Sequence, residues 1–192
     1  MSEIDRLTGL TVENYGDIPV LNPEAVRGHV FGVAFDFDDT ITVLNGYPTD
    51  EFPYGQYSLR DGVARIIEHL KVKGLRVAIL TSATTGWVKD SLARYDTSNL
   101  ATDIDIFSTR DPNYQTGLKR LGKRLRLPIL PYTKIPIMAN CNVLVDDHPF
   151  TQFDIDGKLA VQLKYALIDA RGLNKGLEEE QLREALGSLG AL

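Results

Sequence analysis

Five short runs of apolar residues, set apart by stretches of helical period, constrain the fold of this chain more than any other feature. They are Val30 to Phe35, Leu75 to Leu80, Ile104 to Phe107, Asn142 to Val145 and, more weakly, Leu159 to Leu163. A short continuous run of this kind fits a strand covered on both faces, as in a parallel sheet, where both sides of the pleat meet core. Between the runs the period changes. Val63, Ile66, Ile67 and Leu70 share one helical face, and Gly74 is placed to end that helix. Trp87, Val88, Leu92 and Tyr95 repeat the pattern after Thr84 and Thr85, which are able to cap. Leu118, Leu121 and Leu125 mark a third helix, with Lys119, Arg120, Lys123 and Arg124 on its other faces. Leu177, Leu182, Leu186 and Leu189 mark a last one, with Glu178, Glu179 and Glu180 in the first turn, where the helix dipole favours acids. Alternating short strands and helices predict an α/β fold, a three-layer sandwich with a mainly parallel central sheet.

The 192 residues fit one domain, read as 29–192, preceded by an arm over 1–28 that has turn formers but no sustained period. An excess of acids, with a net charge of −5, argues against a dedicated nucleic-acid binder, whose footprint is a basic face. It leaves a nucleotide or a nucleic-acid end open as a substrate. Cys141, the single cysteine, has no internal disulfide partner and reads as a small apolar residue beside a buried strand. Lacking a membrane-length apolar run and a secretory leader pattern at Met1 to Asp5, the sequence predicts a cytoplasmic protein with no membrane partner.

In sheets of this type the active site lies beyond the carboxyl ends of the strands. After the first run stand Asp36-Phe37-Asp38-Asp39-Thr40, after the second Thr81-Ser82, and after the fourth Asp146-Asp147. Side chains alternate along extended backbone, so Asp36 and Asp38 are expected to face one way while Phe37 enters the core. An acidic pair at one strand end is ordinarily a cap or a solvated turn. Three such endings in this order point instead to one cluster. Crowded carboxylates repel and are costly to desolvate, so the cluster calls for a cation, and all-oxygen ligands select a hard one, magnesium above all.

At these residues the sequence resembles the haloacid dehalogenase superfamily of phosphohydrolases, over roughly residues 30 to 165. The family pattern is an apolar strand followed by Asp-x-Asp-x-Thr, then a strand ending in Thr or Ser, a Lys, and a strand ending in an acidic pair. Asp36, Asp38 and Thr40, then Thr81, then Asp146 and Asp147 match it in order. The resemblance implies a Rossmann-like fold and a magnesium-dependent phosphatase in which Asp36 attacks phosphorus and Asp38 serves as general acid and base. It implies that Asp36, the Asp38 carbonyl and Asp146 or Asp147 hold magnesium, with Asp147 favoured as the direct ligand. Thr81, with help from Ser82, would bind the phosphoryl group. Lys134 is the expected cation beside the nucleophile, as in deoxyribonucleotidase-like members; Lys119 and Lys123 match the arrangement of other branches.

Too little chain lies between Asp38 and Thr81 for a large cap, so only a short flap is expected, turning near Asn45-Gly46. An open site fits a bulky phosphorylated substrate, small molecule or macromolecule. Tyr47, Phe52, Tyr54 and Tyr57 would pack that flap or meet a planar group, and His148 reads as a hydrogen-bonded loop residue. Two alternatives share these residues: a phosphotransferase, and a non-catalytic phosphate- or metal-sensing module. Receiver-type sensors carry their acidic pair early and their phosphoacceptor later, the reverse of the order here.

Overall fold

The structure, a computed structural model, describes residues 11–46, 56–60, 62–95, 104–148 and 153–192. The strands are β1 (Val12–Tyr15), β2 (Ile18–Leu21), β3 (Gly32–Phe35), β4 (Thr42–Gly46), β5 (Gln56–Leu59), β6 (Arg76–Thr81), β7 (Asp105–Ser108), β8 (Val143–Asp146) and β9 (Ala166–Asp169). The helices are α1 (Val63–Val72), α2 (Thr85–Tyr95), α3 (Pro112–Leu125), α4 (Phe153–Leu163) and α5 (Glu178–Ser188). Seven strands form one sheet in the order β1-β2-β9-β8-β3-β6-β7. The five from β9 to β7 run parallel, and β1 and β2 add an antiparallel hairpin on the β9 edge. This is the α/β architecture that the alternation of runs predicts.

Alternate residues of each central strand feed two separate cores. Val33, Phe35, Val77, Ile79, Val143, Val145 and Ile168 face one side, where α1, α2 and α5 deliver Ile66, Ile67, Val88, Leu92, Leu182 and Leu186. Ala34, Ala78, Leu80, Leu144 and Leu167 face the other, against Tyr114 and Leu118 of α3 and Leu159 and Ala160 of α4. Each fully buried large side chain contributes about 1.5–3 kcal/mol, so a strand with both faces covered is held far more firmly than an exposed one. Helix α1 ends as Gly74 predicts: Gly74 has φ 77°, its N–H bonds the Lys71 carbonyl, and the Leu75 N–H bonds that of Leu70.

Three expectations differ from the structure. The run Leu159 to Leu163 is the end of α4, and the fifth parallel strand is β9. Leu159 and Ala160 are buried while Val161 and Gln162 are exposed, a helical face hidden inside an apolar run. The stop that would have marked it is Lys164, a non-glycine residue at φ 54°, with the Tyr165 N–H bonding the Ala160 carbonyl. Asn45 and Gly46 are not the flap turn but the last residues of β4, which pairs antiparallel with β5. The link between them, 47–55, with Tyr47, Phe52 and Tyr54, lies outside the described residues. From the stretch read as an arm, residues 12–21 enter the sheet as β1 and β2, and residues 1–10 lie outside the described residues.

Candidate active site

Register sets the site. Phe35 on β3 is level with Ile79 on β6 and Val145 on β8, so the residues just beyond them emerge at one edge of the sheet. Asp36 leaves β3 still extended, at φ −65° and ψ 161°, with its N–H bonded to the Val145 carbonyl. Phe37 turns into the core at 1% exposure, and Asp38 returns to the side of Asp36. The chain then bends at Asp39, which takes φ 55°. Arg60 holds that bend: its guanidinium donates to the carbonyls of Thr40 at 3.0 Å and Asp39 at 2.6 Å. The Thr40 hydroxyl joins this loop to the end of β8, accepting from the Asp147 N–H at 3.0 Å and donating to the Asp147 carboxylate at 3.4 Å.

Asp36, Asp38, Ser82, Lys134, Asp146 and Asp147 line one cavity of about 430 Å³ at this edge. Lys134 bridges two of the acids, 2.7 Å from Asp36 Oδ2 and 2.9 Å from Asp146 Oδ2. Lys119 and Lys123 are exposed on α3 and do not line it. Thr81 is fully buried beneath Ser82, and its hydroxyl accepts from the Ala83 N–H at 3.0 Å, shaping the turn that presents Ser82. Exposed His148 reaches Asp147 at 3.2 Å through Nε2, while its N–H donates to Asp146.

The electrostatics of the cluster follow from burial. Burial pushes the Asp36 carboxyl up to about 8; Lys134 opposes the rise and Asp146 adds to it. Burial likewise raises Asp147, helped by Asp146. Asp38 is raised by burial and by Asp39, against which Lys134 and a hydrogen bond from Trp87 pull down. Burial alone would lower Lys134, yet Asp36 and Asp146 outweigh it, so the ammonium stays charged.

Asp36, Asp146 and Asp147 each offer an oxygen within 4.8 Å of the others, and Asp36 Oδ1 is buried without a hydrogen bond of ordinary geometry. Three carboxylates against one ammonium leave a net charge of −2 when all are ionised. An oxygen-only donor set with that deficit fits a hard divalent cation, magnesium or a close analogue.

Trp87 and Arg60 belong to the site although neither stood out in the sequence. Trp87 reads there as one apolar position of α2; the structure adds its hydrogen bond to Asp38 and an edge-on contact with Tyr57 of the flap, ring centres 6.2 Å apart. Arg60 binds backbone carbonyls, which carry no residue signature.

No protein-family model and no curated protein matches the chain. Among solved structures it is similar to a Vibrio cholerae protein assigned as a 3-deoxy-D-manno-octulosonate 8-phosphate phosphatase. The TM-score is 0.44 at 16% identity, over 88% of this chain and 90% of that one.

Proposed function

We propose that this chain is a magnesium-dependent phosphohydrolase of the haloacid dehalogenase superfamily, cleaving phosphate monoesters through an aspartyl-phosphate on Asp36. The observation that carries the reading is the pairing of Asp36 with Lys134 at 2.7 Å inside a three-carboxylate cluster, at the foot of a cavity that Asp38 also lines.

Asp36 is the nucleophile: its carboxylate displaces the alkoxide at phosphorus, splitting one hard displacement into two easier ones. Asp38 supplies the proton that the departing oxygen needs, and burial together with Asp39 raises its carboxyl above the ordinary carboxylate value. In the second step Asp38 takes a proton from the water that releases phosphate. Lys134 offsets the negative charge gathered around Asp36 and holds its carboxylate in position. Asp36, the Asp38 carbonyl and Asp147 would hold magnesium, with Asp146 tied to Lys134 beside them. Magnesium, when bound, supplies the positive charge without which anionic Asp36 would repel a phosphoryl dianion. Ser82, exposed on the cavity wall, is placed to donate to a phosphoryl oxygen, on a turn that buried Thr81 shapes.

The test is phosphate release from a panel of monoesters, with magnesium and with chelator, beside Asp36→Asn. Expected is turnover that requires the metal and falls by about three orders of magnitude or more in the variant. Equal rates for wild type and variant on every ester would remove the reading.

A further inference from the structure

The charge lining the cavity discriminates between leaving groups. Asp36, Asp38, Asp39, Asp146 and Asp147 face it against one lysine, Lys134, which is committed to Asp36 and Asp146, and one histidine, His148, whose Nε2 lies 3.2 Å from the Asp147 carboxylate. A divalent ion and Lys134 together bring three positive charges, and a phosphoryl dianion uses two of them. Even with Asp38 protonated, the wall stays negative. Two arginines of neighbouring segments are occupied elsewhere: the Arg60 guanidinium is turned onto two backbone carbonyls, and Arg171 forks onto Asp169. Segments 1–10, 47–55, 61, 96–103 and 149–152, outside the described residues, contain Arg6 as their one Lys or Arg. Sites that grip a second anionic group place Arg, Lys or a helix N-terminus against it. Around the carboxylate cluster the same cavity is walled by exposed Asp39, Pro131, exposed Tyr132 and exposed His148. Tyr132 holds φ 70°, uncommon for a non-glycine residue, which presents its ring on the rim.

Building on the phosphatase reading, we infer that the substrate is a monoester whose leaving group is uncharged or cationic, and that the Asp39 carboxylate disfavours a second anion. Nucleoside diphosphates, bisphosphates and 5′-phosphorylated oligonucleotides are then poor substrates despite the open site.

Three aryl phosphates of closely similar phenol acidity test this: 4-ethylphenyl phosphate (neutral tail), 4-(2-aminoethyl)phenyl phosphate (cationic tail) and 3-(4-phosphonooxyphenyl)propanoate (anionic tail). With saturating magnesium at low ionic strength, kcat/KM for the anionic ester is expected about tenfold or more below the neutral one, with the cationic ester equal or better. Added salt should shrink the gap severalfold in the wild type. Asp39→Asn should also narrow the neutral-to-anionic ratio, whatever its effect on the two rates; asparagine tolerates the left-handed backbone at 39. An anionic ester turned over as well as the neutral one, or a gap indifferent to both salt and Asp39→Asn, overturns the inference while leaving the phosphatase intact. Turnover of none of the three above the Asp36→Asn background removes the phosphatase reading, and this inference with it.

Discussion

At the scale of single residues the molecule is governed by how few charges satisfy one another at the sheet edge. Asp36 illustrates the sign of the effect. Its carboxyl has an ordinary value of 3.8 and is pushed to about 8 by burial, so between these values the native state keeps a proton that the unfolded chain has lost. Metal-free protein therefore loses stability as pH rises through that window. Thermal melts in chelator should fall from pH 5 to pH 8, magnesium should restore more at pH 8 than at pH 5, and Asp36→Asn should flatten both trends. Lys134→Met leaves Asp36 and Asp146 without their shared partner and should lower metal-free stability by about 3 kcal/mol in urea titrations. Cys141 behaves in the opposite way to a reactive thiol. It is fully buried, and burial pushes its thiol up to about 12. Iodoacetamide at pH 8 should leave the native protein unlabelled and modify it stoichiometrically in denaturant, read by intact mass.

At the scale of elements, the lysine is the part of the site that stands away from the end of a strand. Lys134 lies in an irregular stretch after α3, and the Tyr114 phenol of α3 braces it on both sides. The hydroxyl donates to the Thr133 carbonyl at 3.1 Å and accepts from the Ile135 N–H at 2.9 Å. Tyr114→Phe keeps the ring but strands both backbone groups. It should lower stability by about 1–2 kcal/mol and reduce kcat for a neutral ester more than it changes KM. Nothing in the sequence marks this brace: Tyr114 lies one turn before Leu118, the first of the leucines that mark the helix. The same limit explains the exchange of strand for helix at residues 159–163. A five-residue apolar run has no length to separate the two periods, and Lys164 stands where a glycine would have announced the helix end. The six-residue runs before Asp36 and Thr81 carried a second signal, the oxygen-bearing residues that directly follow each.

At the scale of the whole molecule, the layering was legible because burial on both faces leaves a continuous apolar signature in β3, β6 and β8. The meeting of their ends followed from the parallel arrangement. The β1–β2 hairpin was not legible: it lies at the sheet edge, where few apolar residues are needed and tertiary pairing overrides weak local preference. That topology also sets an order of events during synthesis. Thr40 and Asp147, which close the site upon each other, are 107 positions apart, and β2 pairs with β9 through Val20 and Ile168. A chain still emerging from the ribosome exposes its first Asp-x-Asp segment with neither Lys134 nor the acidic pair to complete it. On the phosphatase reading, activity would begin only when nearly the last strand has been made, and a truncated nascent fragment would carry an aspartate without its partners.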